Sequence, residues 1–295
     1  MRKRKMIVGI VLLFVMAVIF IMVHQGGVTL AKDEAREQLN SNKKITLNQS
    51  KKGIVVLCYH RILKDGNLVD LVQNMSENSQ LHQFNVNLSK YKKQMAYLKK
   101  QHIPVISTEE MVWRVKHNKV DKKYVVITFD DVDKTLVENA LPVLKKDKLP
   151  FTSFVISGTT GDYMDGSQMA DDSDLKQIAS DSWATIGYHT DNMHRQVNGV
   201  PLLASDKNYD MFKTDFKLNQ RHLKEEIPNS STKFFASPYG VLTRKMADYL
   251  ATQGVSAIFS LKPGIVNQDT DLEDVPRVIV SDNNWQSIIE WLSHN

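Results

Sequence analysis

Cysteine is nearly absent, with only Cys58 in 295 residues. No internal disulfide can staple the chain, so stability has to come from a packed core. Glycine (13) and proline (8) are sparse as well, which excludes collagen-like and low-complexity architectures. Neither G-x-G-x-x-G nor G-x-x-x-x-G-K-[ST] occurs, and G-x-S-x-G is missing too. Phosphate-loop nucleotide chemistry and serine-esterase chemistry therefore lose their usual signatures. No internal repeat or long heptad offers a scaffold surface.

Surplus charge is also scarce once its place is considered. The net charge is +5, but Arg2, Lys3, Arg4 and Lys5 supply four positives in a leader without Asp or Glu. The remaining 34 basic residues nearly balance the 33 acidic ones. The basicity is topogenic, and no nucleic-acid partner is expected. Directly behind those charges, residues 6–23 are uninterruptedly apolar, long enough to cross a hydrocarbon core of about 30 Å as a helix. Residues 1–31 are expected to be a signal-anchor, or a signal peptide cut near Thr29-Leu30-Ala31. Residues 32–52 form a polar tether, and 53–295 form the working domain. Positive residues ahead of the run place that domain on the extracellular face of the membrane, or in the medium if the leader is cleaved.

What the body does contain is enough apolar residue, 42% of the whole, for a sizeable core. Its pattern alternates short apolar runs with amphipathic segments. Residues 54–59, 124–129, 152–156, 185–188, 233–236, 257–260 and 275–280 read as strands. Residues 88–101, 135–146, 174–180, 212–226, 243–253 and 285–293 read as helices. This β-then-α rhythm predicts an α/β fold, a single (β/α) barrel, distorted or incomplete, behind an N-terminal membrane helix. The polar stretch 65–81 reads as a surface loop near a cleft.

Four places put acid-base or metal-binding groups at strand ends, where such barrels carry their sites. Asp130 and Asp131 follow an apolar strand. As the strand ends, one carboxylate can face an ion while its neighbour reaches a water. Taken alone the pair reads as a polar turn. His189 and His194, five apart, need a loop to converge on one ion, and two His with one carboxylate leave positions open for water and substrate. His60 follows the first strand as a candidate proton donor. Ser237-Pro238-Tyr239-Gly240 ends another strand in a turn able to aim a backbone N–H at an oxyanion. Cys58, within an apolar run, reads as core.

Together Thr128-Phe-Asp130-Asp131, His189-x4-His194, Ser237-Pro-Tyr239-Gly240 and Tyr59-His60 resemble the polysaccharide deacetylases of carbohydrate esterase family 4, known by the NodB homology domain. The likeness runs from about residue 53 to the C-terminus. It is greatest to the subgroup that de-N-acetylates poly-β-1,6-N-acetyl-D-glucosamine in biofilms. The five-residue His spacing, the position of His60 ahead of the Asp pair in a circularly permuted order, and the leader all suit that subgroup. The resemblance implies that Asp131, His189 and His194 hold one divalent metal ion, whether zinc, cobalt, nickel or iron. It makes Asp130 the general base, His60 the general acid and the Tyr239 backbone N–H an oxyanion donor. The implied partner is an extracellular N-acetylglucosamine polymer, met by a monomer.

Two departures stand out. Ala236 occupies the position where most of the family has an Arg that orients the base, and Arg277 is the candidate to replace it. The Asp that tunes the acid in many relatives has only Asp282 as a candidate. Two alternatives remain at this point: a deacetylase of peptidoglycan or chitin-type N-acetylglucosamine, and an inactive carbohydrate-binding module.

Overall fold

A computed structural model describes residues 45–47, 50–66, 84–164, 166–228 and 232–294. The leader expected over 1–31, most of the tether and loop residues 67–81 lie outside them. Among the described residues no helix is long and apolar enough to cross a membrane.

Seven apolar runs form one sheet: β1 (Gly53–Tyr59), β2 (Lys123–Phe129), β3 (Phe151–Val155), β4 (Ala184–Tyr188), β5 (Phe234–Ala236), β6 (Ala257–Phe259) and β7 (Val278–Ile279). Their order is β6-β5-β4-β3-β2-β1-β7, and every neighbouring pair is parallel. All seven residues of β1 are buried. That requires cover on both faces, and it explains why the strands read as continuous apolar runs. Alternation sorts the two faces. Val55, Leu57, Tyr59, Val125, Ile127 and Phe129 pack toward an outer layer of helices. Ile54, Val56, Tyr124, Val126, Phe154 and Phe259 form a separate inner cluster.

The sheet curls as a distorted barrel. The expected strand over 275–280 divides its bonds between both edges. Val275 N donates to Ile258 O at 2.8 Å, Ser260 N to Val275 O at 3.0 Å and Arg277 N to Lys262 O at 3.0 Å. The chain then crosses to pair Val278 and Ile279 with β1. This crossing carries Arg277 into the interior.

The helices are α1 (Leu88–Lys100), α2 (Thr108–Lys116), α3 (Leu141–Asp147), α4 (Asp172–Ala179), α5 (Tyr209–Glu226), α6 (Arg244–Thr252) and α7 (Asp282–Ser293). The sequence pattern passes over α2, although its cap is legible. Ser107 Oγ accepts from Glu110 N at 3.1 Å, and acidic residues begin the helix while Arg114 and Lys116 end it, as the helix dipole favours. Its Met111, Val112 and Val115 join the inner cluster. The helix expected over 135–146 is interrupted: Leu136–Ala140 is a π turn, and α3 starts afresh around Pro142, which has no N–H to give. Packing also reaches back ahead of residue 53. Ile45 and Leu47 are buried in the core, and Ser287 Oγ donates to Ile45 O at 3.0 Å.

Candidate metal centre and active site

Period-two alternation continues past the strand ends and delivers the site. On β1 the inward line Ile54, Val56, Cys58 leads to His60. On β2 the line Tyr124, Val126, Thr128 leads to Asp130. On β4 Thr185 and Gly187 lead to His189. Gly187 is small because a Cβ there would lie 2.4 Å from Phe154 Cδ1. Asp131 escapes the alternation: it and Val132 adopt φ of 66° and 63°, a left-handed geometry that costs on the order of 1–2 kcal/mol per residue. Val132 N donating to Asp130 O at 2.8 Å and Ala170 N donating to Val132 O at 3.1 Å hold the turn. Strain of this kind concentrates where a side chain has to be aimed.

The turn aims Asp131 at two imidazoles. Its Oδ1 is buried without a hydrogen-bond partner, and His189 Nε2 and His194 Nε2 each lie 3.4 Å from it. One ligand atom from each of the three residues fits within a 4.8 Å cluster. Ligands about 2.1 Å from a tetrahedral zinc stand about 3.4 Å apart, so this donor set fits a divalent ion. His189 Nδ1 lies 2.7 Å from Ala236 O, which fixes Nδ1 as the protonated nitrogen and turns the Nε2 lone pair toward the cluster. Burial alone would lower the His189 pKa, but the adjacent Asp131 and Asp130 carboxylates carry it above the ordinary value. His194 is lowered by burial. Burial would raise Asp131, yet the surrounding His residues hold it well below the carboxylate range.

Asp130, 2% exposed, meets Arg277, 0% exposed, through two parallel bonds: Nη1 to Oδ1 at 2.6 Å and Nη2 to Oδ2 at 2.7 Å. Arg277 Nε donates to Ser260 O at 3.0 Å, and the guanidinium lies 5.5 and 5.8 Å from the Phe154 and Phe259 ring centres. Arg277 thus reaches Asp130 from just ahead of the last strand, whereas Ala236 offers no such contact. Burial would raise the Asp130 carboxyl, but Arg277 outweighs it and brings it down to about 2. The Cys58 thiol is fully buried and donates to Asp130 Oδ2 at 3.6 Å. Cys58, His60 and Asp130 also cluster within 4.8 Å, but a cation there would face the Arg277 charge.

His60 is close to Asp130, its ring tilted at 56° and 4.4 Å from that of Phe84. Burial lowers its pKa, against the pull of Asp131 and Asp130, and its Nδ1 is buried without a hydrogen-bond partner. Asp282 does not tune it. It opens α7 behind the Ser281 cap, 68% exposed, and pairs instead with Lys90 at 2.5 Å. Tyr239 takes a left-handed φ of 58° and lays its ring 4.8 Å from that of His194. Two residues of the site escape sequence reasoning, Asp215 and Asn219 on α5. Their spacing of four shows only as polar interruptions in an amphipathic helix.

Comparison with known proteins agrees with this geometry. Residues 117–258 match the family model for polysaccharide deacetylases. A poly-β-1,6-N-acetyl-D-glucosamine N-deacetylase of Staphylococcus epidermidis is 26% identical over 283 residues, covering 95% of this chain and 96% of the relative. The same-named protein of Staphylococcus aureus is 27% identical over 246 residues, covering 83% and 84%. Among solved structures, IcaB from Ammonifex degensii superposes with a TM-score of 0.73 at 27% identity, covering 84% of this chain and 99% of that one.

Proposed function

From a chain that carries a polysaccharide deacetylase domain, we propose a metal-dependent hydrolase that removes N-acetyl groups from extracellular poly-β-1,6-N-acetyl-D-glucosamine. The observation that carries this reading is the Asp131, His189, His194 cluster beside the buried Asp130–Arg277 pair. The choice of polymer rests on the staphylococcal relatives. The domain is exported, held by or released from the leader, and works as a monomer. Its circularly permuted order places the acid on the first strand and the arginine on the last.

Asp131, His189 and His194 would hold the ion. When bound, the ion polarises the acetamide carbonyl and acidifies water. Asp130, ionised and oriented by Arg277, takes a proton from the attacking water. The Tyr239 backbone N–H faces the oxygen on which negative charge develops. As the carbon–nitrogen bond breaks, His60 gives its proton to the departing sugar amine, so acetate and a glucosamine residue leave with charges and atoms balanced. A polymer so modified becomes cationic and adheres to anionic surfaces.

A base brought down to about 2 and an acid lowered by burial make a slow catalyst at neutral pH. Because Asp130 stays ionised above that value, it does not shape the pH profile near neutrality. His60 does, since only its protonated form can act. Because burial puts the His60 pKa below the ordinary imidazole value, acetate release is expected to fall as pH rises from the acid side toward neutrality, and His60→Ala should flatten that limb as well as slow the reaction. A variant that keeps the full limb would remove His60 from the acid role. Chelation is expected to abolish release, and added zinc, cobalt, nickel or iron to restore it. Release that persists at metal-free baseline would contradict the metal reading.

A further inference from the structure

The two imidazoles belong to a turn that cannot hold itself. After β4, Thr190 takes a left-handed φ of 71°, and residues 190–192 leave backbone groups that no strand pairs. One face of α5 meets them. Asp215, 6% exposed, accepts from Asp191 N on Oδ2 at 2.8 Å and from Asn192 N on Oδ1 at 2.7 Å. One helical turn further, the fully buried Asn219 donates through Nδ2 to Thr190 O at 2.9 Å and to Ser157 Oγ at 2.7 Å. From the opposite side Ser157 Oγ donates to Asp191 Oδ1 at 2.7 Å, and Gly158 N donates to Asp191 O at 3.0 Å. A Cβ at Gly158 would come within 2.6 Å of that oxygen.

Asp215 is an expensive way to hold a turn. It has no direct ion-pair partner among the described residues, and a buried carboxylate without one carries a desolvation cost. The two adjacent N–H groups meet different oxygens of the carboxylate, so an amide in its place would set its nitrogen against one of them. The turn it fixes is the segment that returns the chain from His189 so that His194 Nε2 reaches 3.4 Å from Asp131.

Building on the metal-dependent reading above, we propose that Asp215 is a positioning residue that sets the site's metal affinity, by clamping the turn between His189 and His194 from α5. It touches neither the ion nor the substrate. The effect belongs on metal affinity and not on turnover at saturating metal.

The test is zinc titration of the metal-free full chain in detergent against a chromophoric chelator, for the parent, Asp215→Asn and Ser157→Ala. Asp215→Asn is expected to weaken zinc binding about 10- to 100-fold, the range for residues that orient ligands, with an unchanged far-UV circular dichroism spectrum. Raising zinc should restore acetate release toward the parent's maximal rate. Ser157→Ala, which loosens the same turn from the other side, should weaken binding severalfold and serves if the asparagine variant does not fold. Affinities within twofold of the parent's in folded variants would overturn the proposal and leave the deacetylase reading standing. A parent that binds none of zinc, cobalt, nickel or iron would overturn both.

Discussion

Replacing Asp130 by asparagine is expected to lower acetate release about 10²- to 10⁴-fold, the usual worth of a positioned acid or base, while zinc remains bound. The proposed metal ligands are Asp131, His189 and His194, and Asp130 is not among them, so loss of rate and loss of metal separate cleanly. Asparagine keeps the shape of the side chain but cannot accept a proton at neutral pH. It also leaves the Arg277 guanidinium, 0% exposed, opposite a neutral amide. Some loss of stability will therefore accompany the loss of rate, and kinetics should be read below the variant's own melting transition. A variant that retains a third or more of the parent rate would remove Asp130 from the role of base.

The second large effect falls on stability. Arg277→Met is expected to destabilise the fold by about 3–5 kcal/mol, because removing one partner of a buried pair strands the other charge. Asp130 would remain with only the Cys58 thiol at 3.6 Å and its own surroundings. The activity should fall too, since the two bonds that orient the carboxylate disappear. Arg277→Lys replaces a two-pronged contact by a single point charge and should recover part of the stability and little of the rate. Linkage gives the sign of the pH effect. The folded Asp130 lies at about 2, below the unfolded value of about 3.9. The pair's stabilisation is therefore present above about pH 4 and is lost as pH falls through 2. Denaturant melts at pH 7 and pH 3 check this: the gap between parent and Arg277→Met should narrow at the lower pH, and an unchanged gap would contradict it.

Much of this site is legible in the sequence because a parallel strand buried on both faces keeps strict alternation. The apolar runs ending at Tyr59, Phe129 and Tyr188 set the directions of His60, Asp130 and His189 by parity alone. Arg277 is reachable only as the nearest unclaimed arginine at a strand start. Its pairing depends on the chain crossing from β6 to β1 within residues 272–279, and alternation does not encode that. Asp282 misleads because a position just before an expected helix says nothing about which edge of the sheet the helix covers. Helix α2 is easily passed over although Ser107-x-x-Glu110 marks its start, since nine residues give periodicity little to work on. Asp215 and Asn219 are beyond reach for a different reason: hydrogen bonds to backbone N–H and C=O groups leave no residue pattern at the partner's end.

The central claim is metal-dependent N-deacetylation of a β-1,6-linked polymer, and acetate release from synthetic β-1,6-linked N-acetylglucosamine oligomers tests it most directly. The full chain should be assayed with chelator, with zinc restored, and beside β-1,4-linked oligomers. Release from the β-1,6 oligomers that chelator stops and zinc restores, with little from the β-1,4 series, is the predicted result. Release confined to β-1,4 oligomers would keep the chemistry and contradict the substrate, and no release from either with zinc bound would contradict the enzyme.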